Sequence, residues 1–404
     1  MDSILKTADF SHYFDWAATT PPDTQILEKA LQLTTENYGN PSSLHKLGTN
    51  AKELLEQARE RCAKVLDVSP STIIFTSGGT ESDHFPLLSL LQKPKNRNSD
   101  NNGTIVISAI EHPAIREQAK MMENCGYRVT LVPPEKNGIV SAEKLISKTD
   151  DNTQLVCLMA VNNETGAIQP VYEAAELLQK KYTGHKKPKF HVDAVQAVGK
   201  IPLRLKHPGI DSAAISAHKI RGPRGIGILY LAKRIEPFVR GGEQENGLRP
   251  GTENVYGAIA MSLCLEKYII SETKPESIKK LEIQHKLCSL FISSLLKNGG
   301  CKIIPESRDK DDFEHFSPWI IQAAFDNIPG KVMVRALAEK GFSISTGSAC
   351  SAKKLSRPVL EAMQVSKNDA TNAVRFSFGP DTSETTLFDL TTAINEITAD
   401  FKQA

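Results

Sequence analysis

The sequence lacks long apolar runs and an excess of charge of one sign. No apolar run approaches the roughly 20 residues that a membrane-spanning helix needs, so we expect no membrane association. Lys and Arg total 49 and Asp and Glu total 47, which leaves a net charge of +2. A chain this close to neutrality has no general electrostatic attraction for nucleic acid, so we expect no direct nucleic-acid partner.

Cysteine is sparse and irregularly spaced. The seven cysteines stand at positions 62, 125, 157, 264, 288, 301 and 350. None forms the C-x-x-C pair of a zinc site, so we expect no bound metal. An odd number of scattered cysteines indicates reduced thiols rather than a disulfide framework. The first ten residues also lack the basic and apolar regions of a secretory signal, so we expect a cytoplasmic protein.

Short apolar, β-branched runs alternate with helix-period segments through the middle of the chain. These runs cover residues 72–75, 104–107, 129–132, 155–161, 190–192, 213–216 and 226–231. Such alternation predicts an α/β fold with a mostly parallel seven-stranded sheet that helices cover on both faces. Sheets of this kind bind ligands beyond the carboxyl ends of their strands.

The length and a change of pattern predict two domains. A chain of 404 residues exceeds the usual size of one domain. Near residue 265 the alternation gives way to a long amphipathic segment, followed by an apolar strand and further helices. We predict a large domain of residues 21–265 and a smaller α+β domain of residues 1–20 and 266–404.

Two polar groups follow predicted strands in the large domain. Residues 77–82 (SGGTES) open a predicted helix, where glycines and backbone amides can approach a phosphate. The alternative is a plain strand-to-helix turn with a hydroxyl cap. Asp193 ends another strand, where its carboxylate can bind a cationic ring nitrogen or simply cap the next helix.

Three further side chains stand in chemically suggestive surroundings. Lys219 follows Ser216 and His218 at a strand end and can form a Schiff base, although a lone Lys is usually a solvated charge. Cys350 lies among small polar residues (STGSACSA), as an accessible reactive thiol or as a bystander in a turn. Arg375 lies in a strand-like stretch, where it can clamp a carboxylate or form a surface ion pair.

Together with other segments, these groups resemble the cysteine desulfurases in the same order along nearly the whole chain. That family belongs to the class V aminotransferase group of the fold-type I enzymes that depend on pyridoxal 5'-phosphate. The segments that carry the resemblance are YFDWAATTPP (13–22), NPSSLH (40–45), FTSGGTESD (75–83), EHPAI (111–115), VNNETGAIQP (161–170), HVDAVQAVGK (191–200), SAHKIRGPRGIG (216–227), GLRPGTEN (247–254), TGSACS (346–351) and VRFSFG (374–379).

The resemblance implies a set of roles around a pyridoxal 5'-phosphate ring. Lys219 would bind the cofactor covalently, and Asp193 would pair with the ring nitrogen and keep it protonated. Gln196 would hydrogen-bond the phenolic oxygen of the ring, with Asn163 beside that oxygen and the substrate. His112 would stack on the ring and assist proton transfer.

The resemblance also implies a phosphate site, a substrate site and a partner subunit. The phosphate ligands would be Gly79, Thr80, Ser216 and His218. Thr252 matches a threonine that reaches the phosphate of the neighbouring subunit, which implies a homodimer. Arg375 would bind the carboxylate of the substrate, L-cysteine.

Cys350 would be the catalytic thiol. It would attack the sulfur of L-cysteine, releasing L-alanine and carrying the sulfur as a persulfide. The small residues around Cys350 are similar to those of family members with a long, mobile cysteine loop. Such members pass sulfur to acceptor or scaffold proteins for iron–sulfur cluster assembly or tRNA thiolation.

Three alternatives remain open at this point. A selenocysteine lyase would use the same cofactor machinery. An aminotransferase would need an α-keto acid acceptor and would form no persulfide. A catalytically silent scaffold in a sulfur-transfer complex would have no need for the combination of Lys219, Asp193, His112 and Cys350.

Overall fold

A seven-stranded sheet forms the centre of the computed structural model, which describes residues 10–92, 102–297, 299–347 and 356–403. Its strands are β1 (Ile73–Thr76), β2 (Thr104–Ser108), β3 (Arg128–Val132), β4 (Thr153–Cys157), β5 (Lys189–Asp193), β6 (Ser212–Ser216) and β7 (Gly227–Leu231). The spatial order is β1-β7-β6-β5-β4-β2-β3. All pairs are parallel except those that β7 makes with β1 and β6. The predicted α/β fold with a mostly parallel sheet is confirmed.

Helices cover both faces of this sheet. They are α1 (Thr24–Glu36), α2 (Lys46–Val65), α3 (Gly79–Ser89), α4 (Pro113–Asn124), α5 (Ala142–Ser147), α6 (Val171–Lys181) and α7 (Val255–Tyr268). Every residue of β1, β2, β6 and β7 is buried, as expected for strands with a helical layer on each side. Polar caps fix several helix starts; for example, Asp23 accepts a hydrogen bond from the Ile26 amide at the start of α1.

A second, antiparallel sheet has the order β10-β9-β8. Its strands are β8 (Cys301–Ile304), β9 (Ile320–Phe325) and β10 (Ala373–Ser377), and its helices are α8 (Pro275–Lys297), α9 (Gly330–Glu339), α10 (Pro358–Ala362), α11 (Lys367–Asn372) and α12 (Glu384–Gln403). Phe291 of α8 packs edge-on against Phe376 and Phe378, which anchors α8 to β10 through an aromatic core. None of the helices described is both long and apolar enough to cross a bilayer.

Residues 13–20 connect the two sheets. Asp15 forms a bridge with Ser377 beside the small sheet. Five residues later, the Thr20 amide and hydroxyl both donate to the carbonyl of His218, which follows β6 of the large sheet. This segment therefore contacts both the small sheet and the large sheet. The division into domains at residues 20 and 265 stays a prediction.

Candidate active site

One cavity of about 240 Å³ lies beyond the carboxyl ends of the central strands. Every predicted site residue that the structure describes lines this cavity, except Thr252. The predicted residues that it brings together are Gly79, Thr80, His112, Asn163, Asp193, Gln196, Ser216, His218, Lys219 and Arg375. They come from loops after β1, β2, β4, β5 and β6 and from the small sheet, so only the fold makes them neighbours.

The start of α3 forms one end of the cavity. Gly78 precedes this helix with φ +151°, and a Cβ on Gly79 would approach Val195 Cγ2 to 2.7 Å. Glycine is therefore required where the backbone turns closely against the loop after β5. The amides of the first helical turn, together with Ser216 and His218, form a group of hydrogen-bond donors suited to a phosphate. Burial, followed by the charge of Lys219, lowers the pKa of His218 to about 3.

Asp193 lies at the end of β5 and is almost fully buried. Burial, followed by the negative charge of Asp83, raises the pKa of Asp193 to about 8. Its Oδ1 accepts a hydrogen bond from the Val195 amide at 2.9 Å. Such a carboxyl favours a cationic partner, because a nearby positive charge would restore its ionised form. The donor set of this cavity therefore fits a phosphorylated, cationic ring.

Lys219 ends a short 3-10 turn (Ala217–Lys219) directly after β6. Its Nζ donates to the carbonyl oxygen of Ala17 at 2.5 Å and of Ala18 at 2.8 Å. These two carbonyls belong to the segment that connects the sheets. The amine is thereby held at the cavity wall by backbone acceptors, and a reacting carbonyl compound in the cavity could displace them.

His112 caps α4 through its ring. The amide of Ala114 donates to His112 Nδ1 at 3.2 Å, so Nδ1 presents its lone pair. Burial, followed by the positive charge of Lys219, lowers the pKa of His112 to about 4. A neutral ring that accepts at Nδ1 carries its hydrogen on Nε2. His112 is therefore a hydrogen-bond donor at Nε2.

Comparison with known proteins shows the family to which the chain belongs. The aminotransferase class-V model matches residues 12–388. The chain belongs to the class-V aminotransferase family. It is 38% identical to a NifS/IcsS protein homolog of Lactobacillus delbrueckii subsp. bulgaricus, covering 91% of each chain. It is 35% identical to cysteine desulfurase IscS of Dictyoglomus turgidum, covering 91% of this chain and 89% of that one.

Solved structures of the class-V aminotransferase family share the fold. A NifS-like protein superimposes with a TM-score of 0.84 at 37% identity, covering 96% of this chain and 99% of the other. A structure described as SspA in complex with cysteine gives a TM-score of 0.74 at 27% identity, covering 92% and 100%. The resemblance to cysteine desulfurases is confirmed, and with it the expectation of pyridoxal 5'-phosphate, the cofactor of this family.

Among the described site residues, Thr252 alone does not line the cavity. Thr252 is exposed, in the segment that leads into α7. Cys350 lies outside the described residues. Ser345, the described residue five positions before it, pairs with Arg375: the Arg375 amide donates to the Ser345 carbonyl at 2.6 Å. The roles predicted for Thr252 and Cys350 stay predictions.

Five of the six other cysteines in the chain are poor candidates for a reactive thiol. Cys62, Cys157, Cys264 and Cys288 are buried, and all of the described cysteines are free. Burial raises the pKa of Cys62, Cys264 and Cys301 to about 12. A thiol of such high pKa is protonated at neutral pH and is a weak nucleophile.

Several buried polar groups beside the cavity were not predicted from the sequence. Asp83 lines the cavity and contacts His191 Nε2 at 3.1 Å, and Glu111 adds another buried carboxyl behind Asp193. The sequence carried one usable signal, since His191 lies two positions before Asp193 and therefore on the same face of β5. Asp83 and Glu111 come from other elements, and only the fold shows that they are close. Among the described residues, no group of His, Cys, Asp and Glu is arranged to hold a metal ion.

Proposed function

We propose that this protein is a cysteine desulfurase that uses pyridoxal 5'-phosphate to remove sulfur from L-cysteine. The products are L-alanine and a persulfide on Cys350, which passes the sulfur to acceptor or scaffold proteins for iron–sulfur cluster assembly or tRNA thiolation. One observation carries the proposal. Lys219, Asp193 and His112, which are distant in sequence, line a single cavity in a chain whose relatives are named cysteine desulfurases.

The cavity supports a specific assignment of cofactor ligands. In this proposal the amides of Gly79 and Thr80 at the start of α3 bind the phosphate, with Ser216 and His218. Asp193 pairs with the ring nitrogen. Lys219 would hold the cofactor through its amine, and the cofactor would supply an electron-withdrawing ring for the bound substrate.

The chain's own groups then divide the work around the substrate. Arg375 binds the carboxylate of L-cysteine, beside Asn163. Lys219 Nζ takes the proton from Cα of L-cysteine and returns it to that carbon when alanine forms. His112 is less suited to this step, because its Nδ1 is engaged with the Ala114 amide and its Nε2 already carries a hydrogen. His112 would instead stack on the cofactor ring, with Nε2 available as a hydrogen-bond donor.

Sulfur transfer balances without an external oxidant. The thiolate of Cys350 attacks the substrate sulfur, forming a sulfur–sulfur bond and breaking the carbon–sulfur bond. The electron pair of the broken bond stays with the substrate carbon, which takes up a proton and becomes the methyl group of alanine. The high pKa values of Cys62, Cys264 and Cys301 support Cys350 as the acceptor by leaving few other reactive thiols.

Mass spectrometry of Cys350 after incubation with L-cysteine tests the proposal. We expect one added sulfur atom on Cys350 and a matching yield of alanine, both lost in Cys350→Ala and Lys219→Ala. Cys125→Ala, which removes a partly exposed thiol, is the matched control and should behave as wild type. Full alanine production by Cys350→Ala would contradict the proposed transfer. Equal alanine yields from selenocysteine in Cys350→Ala and in wild type would favour a selenocysteine lyase. A requirement for an α-keto acid would favour an aminotransferase.

The proposal includes a cytoplasmic homodimer in which Thr252 binds the cofactor phosphate of the partner subunit. Exposed apolar side chains support a subunit interface, since Tyr38, Leu44 and Val239 are 75%, 97% and 55% exposed. A complementation experiment tests the arrangement. Lys219→Ala and Thr252→Ala chains are expressed together and compared with each chain alone. If Thr252 acts across the interface, each mixed dimer contains one intact site and activity returns; activity that stays at the level of the single variants would contradict it.

A further inference from the structure

A buried lysine lies directly behind the cavity. Lys200 is only 6% exposed and follows Gln196 by four residues in the turn after β5. Its Nζ donates to Gln196 Oε1. Its backbone carbonyl accepts from Trp319 Nε1 at 2.7 Å, so the base of the side chain is also held in place. Buried lysines are rare and costly, which makes this position unusual for a residue without a task.

Lys200 and Ala17 together determine which way the Gln196 amide points. Gln196 Nε2 donates to the carbonyl of Ala17 at 2.9 Å, and a carbonyl can only accept. The oxygen of the amide therefore faces Lys200, whose Nζ donates to it. Both contacts require the same orientation. Nε2 keeps a second N–H that can point into the cavity that Gln196 lines.

Lys200 is removed from water, and its surroundings combine apolar side chains with the cationic Lys219. The side chain also borders a neighbouring cavity of about 200 Å³, whose lining includes Trp16, Leu287 and Trp319. Burial, followed by the positive charges of Lys219 and Arg375, lowers the pKa of Lys200 well below its ordinary value. Hydrogen bonds in such a medium are stronger than in water and polarise one another.

We propose that Lys200 is a positioning residue that holds the Gln196 amide with its second N–H toward the cavity, where it donates to the anionic phenolic oxygen of the bound cofactor. The inference rests on the proposed function, because it assigns Gln196 to that oxygen. Lys200 touches neither cofactor nor substrate and acts through Gln196. Without Lys200, the amide loses the partner of its oxygen and can rotate, so the phenolic oxygen loses its donor for part of the time.

A spectroscopic titration of the holoenzyme tests the inference. The absorbance band of the bound cofactor is followed against pH in wild type, Lys200→Met, Gln196→Met and the double variant. A hydrogen-bond donor to the phenolic oxygen lowers the affinity of that oxygen for the neighbouring proton. Losing the donor should therefore raise the pH at the midpoint of the titration. We expect a rise of about half a pH unit or more in each single variant, and a double variant that rises no further than the larger single change.

Two controls separate positioning from a structural role. Lys280→Met removes an exposed lysine at the rim of the neighbouring cavity and should leave the midpoint unchanged. Cofactor-free Lys200→Met should unfold at or above the wild-type temperature, because methionine fills the site without a buried amine. A lowered unfolding temperature with an unchanged titration midpoint would overturn this inference but not the proposed function. Midpoint shifts that add in the double variant would do the same. A wild-type protein that binds no cofactor would overturn the proposed function together with it.

Discussion

Arg375 and Asp15 form an ion pair in which Nη2 lies 2.6 Å from Oδ1, with the guanidinium almost fully buried. Nη1 donates to the Asn163 carbonyl at 2.9 Å. The third nitrogen, Nε, is buried without a hydrogen-bond partner in the described residues. The pair joins the segment before α1 to β10 and holds Arg375 at the cavity before any substrate is present. A pre-oriented guanidinium loses less conformational freedom when it binds a carboxylate.

Asp15→Ala should lower the free energy of unfolding by about 2 to 4 kcal/mol, because it leaves the buried guanidinium of Arg375 without its counter-charge. Urea denaturation monitored by circular dichroism measures the change. Glu339→Ala is the matched control, since it breaks an exposed pair with Arg335 and should cost no more than about 0.5 kcal/mol. Equal losses in the two variants would show that the Asp15 pair contributes no more than a surface pair.

Arg375→Lys should raise the KM for L-cysteine about tenfold or more, with a smaller effect on kcat. A lysine ammonium cannot contact a carboxylate through two parallel N–H bonds while also reaching Asp15 and Asn163. Steady-state kinetics of alanine release give both constants. Arg335→Lys, on the exposed face of α9, should match wild type. An unchanged KM would exclude Arg375 as the carboxylate ligand.

Glu111 should make the cofactor-free protein less stable as the pH rises. Its Oε1 accepts from the Met159 amide at 2.8 Å and from Ser108, but Oε2 has no hydrogen-bond partner among the described residues. Burial, followed by the charge of Asp193, raises the pKa of Glu111 from 4.5 to about 8. Between these values the folded state keeps a proton that the unfolded state has lost, so the free energy of unfolding falls by about 1.4 kcal/mol per pH unit for this group.

Glu111→Gln reproduces the neutral form of this side chain and should flatten that dependence. Urea denaturation at several pH values inside the window should therefore show the variant gaining stability over wild type as the pH rises. Glu339→Gln, at an exposed position, should follow the wild-type curve. Parallel curves for wild type and Glu111→Gln would mean that Glu111 ionises in the folded state with a pKa close to its ordinary value.

His112→Asn and His112→Ala should separate the cap of α4 from the chemistry of the ring. Asparagine caps helices well, so His112→Asn should keep the stability that His112→Ala loses, about 1 kcal/mol. Both variants should lose turnover, because neither provides a ring to stack on the cofactor. Thermal unfolding and alanine production are measured on the same samples. Equal destabilisation by the two changes would argue against a capping role, and full turnover in either would argue against stacking.

The alternation of strands and helices could be predicted from the sequence, but not every helix could, and α7 shows why. Each predicted strand of the large sheet appears within a few residues of its expected position. Helix α7 (Val255–Tyr268) has no single apolar face, because its buried residues, including the consecutive Ala258, Ile259 and Ala260, lie around most of its circumference. Periodicity detects a helix with one buried face and fails for a helix packed on several sides.

The sequence by itself determined the family, the sheet and most of the side chains that line the cavity, because motifs at strand ends keep their order and spacing along the chain. Only the tertiary structure decided the electrostatics of the site. Whether Asp193 is neutral or charged depends on the buried carboxyls of Asp83 and Glu111, which belong to α3 and the loop before α4. The orientations of Arg375 and Gln196 likewise depend on partners from distant segments. Burial and long-range contacts set these properties, and neither is a local function of the chain.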